Sequence, residues 1–62
     1  MKVSIKINMD NAAFKENENG IELHRILSHA AEKIQGNEWH IGDRIFLLDI
    51  NGNDVGSINF RK

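Results

Sequence analysis

Sixty-two residues leave room for one domain, residues 1–62, and a chain this short buries only about 60% of the surface it exposes when unfolded, so its stability is thin or shared with a partner. Eight Lys and Arg against nine Asp and Glu give a formal net charge of −1, which excludes the broad basic footprint of sequence-independent binding to DNA or acidic membranes. Cysteine is absent, so a disulfide framework and a thiolate zinc site are excluded too. No apolar run approaches the roughly 20 residues of a membrane span, and MKVSIKINMD alternates where a signal peptide would carry a solid apolar block. These features predict a soluble, cytoplasmic protein that does not engage a membrane.

The first element is a strand. In KVSIKINM, residues 2–9, Val3, Ile5, Ile7 and Met9 point one way and Lys2, Ser4, Lys6 and Asn8 the other, the period-2 pattern of a half-buried strand. DNAAFKENEN, residues 10–19, reads as an ordered loop with Phe14 tucked against the core. Asn19 stands three residues before Glu22, the spacing of a capping box. From there Leu23, Ile26, Leu27, Ala30, Ala31 and Ile34 form one apolar stripe and Gly36 sits where a left-handed C-cap belongs, which predicts a helix over 20–35. Glu22, Arg25, Ser28, His29, Glu32 and Lys33 fall on its wet side.

NEWHIGD, residues 37–43, is a connector whose Trp39 is placed to cover an open end of the core. Then RIFLLDI and VGSINF flank NGND, two β-rich runs around an Asn-Gly pair, the strongest short-range hairpin signal. A two-residue turn at Asn51 and Gly52 pairs Ile50 with Asn53, Leu48 with Val55, Leu47 with Gly56, Phe46 with Ser57 and Ile45 with Ile58, and a four-residue loop gives the same faces. One face then carries Ile45, Leu47, Ile58 and Phe60, which with Val3, Ile5 and Ile7 make a floor for the helix, and Gly56 lets that helix approach. The opposite face carries Phe46, Leu48, Ile50 and Val55, too many apolar residues for a solvated surface. It is covered by the 10–19 loop and Trp39, or pairs with a second copy, or serves as a platform for another partner.

DINGNDVG, residues 49–56, has the composition of a calcium loop but not its spacing. Counting from Asp49, the sixth residue is Asp54 where glycine is required, and the twelfth is Phe60 where a bidentate Glu is required. His24 and His29 lie about 140° apart around a helix and cannot share a metal, and His40 lies outside the helix, so no metal or cofactor is expected. Catalysis would need a nucleophile and a pocket, for which a chain of this length has little volume. A nucleic-acid surface would rest on Lys2, Lys6, Arg44 and Phe46, cations beside one aromatic able to stack an unpaired base, with edge and terminal charges that keep strands soluble as the plainer account.

IKINMDNAAF, ELHRILSHAAEKI and LLDINGNDVGSINF together resemble short uncharacterised proteins of phages, prophages and bacterial genomes that have a DNAAF segment, an amphipathic helix and a terminal DINGN-VG hairpin. The resemblance implies a small accessory product of a mobile element and assigns no functional residue. The expected fold is α+β, β-α-β-β, one helix on a three-stranded sheet. Its strand order is either wholly antiparallel with the first and last strands adjacent or, the preferred arrangement, one with the Ile45–Ile50 strand in the centre. The expected function is a non-enzymatic interaction protein acting through Phe46, Leu48, Ile50 and Val55 on itself or on a host protein, with weak single-stranded nucleic-acid binding as the alternative.

Overall fold

The computed structural model describes residues 1–16 and 18–62; Asn17, in the expected 10–19 loop, lies outside the described residues. The elements are β1 (Lys2–Ile7), a 3-10 turn (Ala12–Phe14), α1 (Asn19–Gln35), β2 (Arg44–Leu48) and β3 (Asp54–Arg61). This is the expected β-α-β-β arrangement, with one helix on a three-stranded antiparallel sheet. The central strand is β3, in the order β1-β3-β2, and not the Ile45–Ile50 strand. β3 spans eight residues and pairs with both neighbours while burying Val55, Ile58 and Phe60. β2 is therefore an edge strand, and its two-sided apolar character is not explained by centrality.

The hairpin turns on three residues, 50–52, not two. Asp49 N–H donates to the Asn53 carbonyl at 2.9 Å, and Gly52 N–H donates to the Asp49 carbonyl at 3.0 Å. A two-residue type I′ turn would need both Asn51 and Gly52 at positive φ. Gly52 has φ 85°, and no non-glycine residue among those described is positive. The extra loop residue shifts the register by one, and a bulge between Leu48↔Asp54 and Leu47↔Gly56 shifts it back. Beyond the bulge the pairs Leu47↔Gly56, Phe46↔Ser57 and Ile45↔Ile58 are those the shorter turn predicted. Within it, Val55 turns inward to 6% exposure and joins the core.

α1 starts one residue earlier than its pattern indicates and ends at Gln35 as expected. Its N-cap is Glu18, with no side-chain cap bond, so the Asn19–Glu22 capping box does not form. Gly36 closes the helix at φ −82°, right-handed. The buried residues of α1 are Glu22, Ile26 and Ala30, spaced i, i+4, i+8, while Leu23 and Ile34 are partly buried and Leu27 and Ala31 are exposed. The apolar stripe is thus wider than the contact it makes. α1 contacts β2 and the 3-10 turn, whose Phe14 is buried in the core as expected.

Trp39 closes one end of that core. Its ring stacks on Phe60 at 4.9 Å between centroids and 3° between planes, and its Nε1–H donates to the Ile34 carbonyl at 3.0 Å. The aromatic pair buries the large apolar area while the indole N–H keeps a partner. Gly56 is also indispensable, but not for the helix. A Cβ there would lie 1.9 Å from the Lys6 carbonyl oxygen and 3.0 Å from Ile7 Cα, so the bulge brings the backbone of β1 against it.

β1 is less covered than the sequence pattern suggests. Val3 lies opposite Phe60 and Ile5 opposite Ile58, which places both on the helix side of the sheet. They are nevertheless 53% and 51% exposed. The helix packs against β2, at the opposite edge of the sheet from β1, so the floor expected of Val3 and Ile5 extends beyond the roof.

Candidate functional site

The sequence that suggests a calcium loop uses its carboxylate on its own backbone. Asp49 is buried. Its Oδ1 accepts the backbone N–H of Asn51 at 2.9 Å and of Asn53 at 2.8 Å, and its Oδ2 accepts Nδ2 of Asn11 at 2.7 Å and of Asn53 at 3.1 Å. Four N–H donors occupy the oxygens a cation would need, and no group of three His, Asp or Glu is placed to hold a metal among the described residues. Burial pushes the Asp49 carboxyl up, but the donors on Asn53, Asn51 and Asn11 prevail and hold it below its ordinary range.

Beside it, Glu22 ties the helix to the hairpin. Its carboxylate takes a two-pronged contact from Arg25, Nε at 2.8 Å and Nη2 at 3.2 Å, and accepts the Ile50 backbone N–H at 2.8 Å. Arg25 Nη2 also donates to the Leu48 carbonyl at 3.1 Å. The Arg25 bond lowers the Glu22 pKa foremost, against the cost of burial and with help from Ile50 N–H. The same pairing raises Arg25. Reading Glu22 as a solvated helix residue missed this clasp. The available signal was its position four residues before Ile26, on the line of the deepest helix residues.

The four apolar residues grouped by alternation separate in space. Phe46 and Leu48, i and i+2 on β2, stand side by side on the sheet face away from the helix, 62% and 50% exposed. Ile50 projects from the hairpin loop, 66% exposed, and Val55 leaves the group for the core. Among the described residues neither covering device reaches this face, because Phe14 and Trp39 both pack on the helix side. Phe46, Leu48 and Ile50 also line a groove of about 370 Å³ whose other wall is Arg25, His29 and Lys33 on α1.

The cations of the alternative reading share the outer face. Pairing places Lys6, Ser57 and Phe46 in one row across the sheet, Ser4, Asn59 and Arg44 in the next, and Lys2 beside Arg61 in the last. Arg44 is oriented by Nε donating to Asn59 Oδ1 at 2.6 Å, and its guanidinium carbon stands 5.9 Å from the Phe46 ring centre, within the reach of a cation–π contact. Ser4, Lys6, Arg44 and Arg61 line a shallow hollow. Lys2, Lys6, Arg44 and Phe46 therefore belong to one surface, with Phe46 two strands, or roughly 10 Å, from Lys6.

The histidines do not converge. His24 Nε2 lies 3.4 Å from Ser28 Oγ on the exposed helix face, and His40 Nδ1 lies 3.8 Å from Asp43 in the connector. No helix of the described residues is long and apolar enough to cross a membrane. Comparison of the chain with protein-family models, with curated proteins and with solved structures finds no match.

Proposed function

We propose that the protein is a non-enzymatic interaction module that docks a different protein, a host protein if the chain is a mobile-element product, on the face bearing Phe46, Leu48 and Ile50. The observation that carries this reading is the exposure of these three large side chains at one rim of a domain too small to leave such area idle. The surrounding charges define the partner's chemistry. Lys2, Lys6, Arg44 and Arg61 lie on the same face, and Lys33 lines the adjoining groove, where Arg25 is already paired with Glu22. A second copy laid face to face would set these cations against each other, whereas an apolar surface rimmed by Asp and Glu complements them.

Panning a random-peptide library against the protein, with counter-selection on a Phe46→Asp, Leu48→Asp variant, tests this. The expected enrichment is for aromatic or aliphatic residues set among acids. No enrichment over the variant overturns it, as does salt-dependent binding of single-stranded oligonucleotides lost on Lys6→Ala and Arg44→Ala, which would assign the face to nucleic acid.

A further inference from the structure

The sheet has two free edges, and they differ. Phe60 N–H and O both bond toward the β2 side, to Asp43 and Gly42, and Val55 O accepts Asn8 N–H on the β1 side. The alternation of an antiparallel ladder then fixes the outward groups. On β2 these belong to Arg44, Phe46 and Leu48, and the Leu48 carbonyl is already taken by Arg25. On β1 they belong to Val3, Ile5 and Ile7, and no bond to them from outside the strand is found among the described residues. The open edge therefore coincides with the half-exposed apolar side chains of Val3 and Ile5.

We infer that β1 pairs antiparallel with β1 of a second copy about a two-fold axis through Ile5, an interface independent of the outer face assigned above. Registers compatible with the outward groups pair odd residues with odd residues, and charge selects among them. Centred on Ser4, Lys2 faces Lys6 of the other copy; centred on Lys6, two Lys6 side chains face each other. Centred on Ile5, Lys2 faces Asn8 and Lys6 faces Ser4, while Ile5 meets Ile5 and Val3 meets Ile7 on the helix side. This register pairs the whole strand, places only apolar pairs on one side and opposes no like charges on the other. The two-fold axis stands perpendicular to the sheet. The dimer is one six-stranded sheet, with both helices flanking a trough floored by Val3, Ile5 and Ile7 of both copies, and both Phe46 faces turned the same way.

Sedimentation equilibrium from about 1 µM to about 1 mM spans the range in which a small edge-to-edge contact dissociates. The expected species is a dimer of the 7.1 kDa chain. Ile5→Pro removes an outward N–H and leaves the β1–β3 ladder intact, as edge strands tolerate. Ile5→Lys places like charges on the axis at a half-exposed site. Each is expected to keep the wild-type circular dichroism spectrum and weaken dimerisation by at least about tenfold. The chain has no cysteine, so Ile5→Cys reports the register directly. Cα atoms of a hydrogen-bonded pair stand about 5.5 Å apart, within disulfide reach, and oxidation should give a covalent dimer. A wild-type monomer throughout the range overturns the inference, as does a dimer that Ile5→Lys leaves unchanged or that cross-links through Phe46→Cys and not Ile5→Cys.

Discussion

The Glu22 carboxylate accepts the backbone N–H of Ile50 at 2.8 Å, joining the first turn of the helix to the tip of a hairpin 28 residues away. Together with Asp49, it makes the hairpin end of the molecule depend on two ionised carboxylates. Both are held below their ordinary values of 4.5 and 3.8. Their contribution is therefore complete above those values and is lost as pH falls through the lower folded ones. Chemical denaturation followed from pH 7 downward should show stability declining at acid pH. Glu22→Gln and Asp49→Asn should each flatten that decline, and wild-type steepness in both variants would contradict the assignment.

Asp49→Ala removes the acceptor of four donors at once. The Asn51 and Asn53 amides should lose hydrogen-exchange protection while those of Phe60 and Gly42, which bond at the other end of the sheet, keep theirs. Added calcium should not restore the lost protection in the variant or raise the melting temperature of the wild type.

Gly56→Ala drives a methyl group into the Lys6 carbonyl, a backbone atom that cannot step aside without parting β1 from β3. The expected destabilisation is about 3 kcal/mol, at the upper end for overpacking, measurable by urea titration. An equal change at Gly20, where a Cβ meets nothing within 4 Å, should stabilise or leave the helix unchanged.

Phe46→Ser and Val55→Ala separate two residues that alternation groups together. Phe46, largely in solvent, should change stability by no more than about 0.5 kcal/mol on substitution. Val55, in the core, should cost about 2 kcal/mol for the two methyl groups and the space they leave. The contrast marks how far the sequence reaches. Period-2 alternation identifies the first strand, and the 3.6-residue stripe the helix. The β-rich runs around the Asn-Gly pair identify the other two strands, whose pairing about that turn places Phe46 and Leu48 on the open face. Alternation cannot see a bulge, because a single unpaired residue reverses the faces only between itself and the turn. It is equally blind to Glu22, whose burial is decided by a backbone amide that only the tertiary fold brings near. Strand order was hidden for a related reason: which strand becomes central depends on where the crossover through α1 returns, and the apolar count of RIFLL does not record that.

Trp39→Ala should cost about 2–3 kcal/mol through loss of the stack on Phe60. Trp39→Phe, which can keep the stack but not the bond to the Ile34 carbonyl, should cost about 1 kcal/mol. Thermal melts of both variants followed by circular dichroism would check the two figures.

The Asn51-Gly52 pair is also one of two Asn-Gly sites at which the protein can age. Succinimide formation at such a dipeptide requires the glycine nitrogen to attack the asparagine side-chain carbonyl. In the folded hairpin that nitrogen points its N–H at the Asp49 carbonyl at 3.0 Å, and the backbone N–H of Asn51 donates to Asp49 Oδ1 at 2.9 Å. The nucleophile is thus occupied for as long as the loop stays closed. Rearrangement at this bond waits on how often the loop opens, so Asp49 protects one of the chain's two Asn-Gly bonds, the other being Asn19-Gly20 in the first turn of α1.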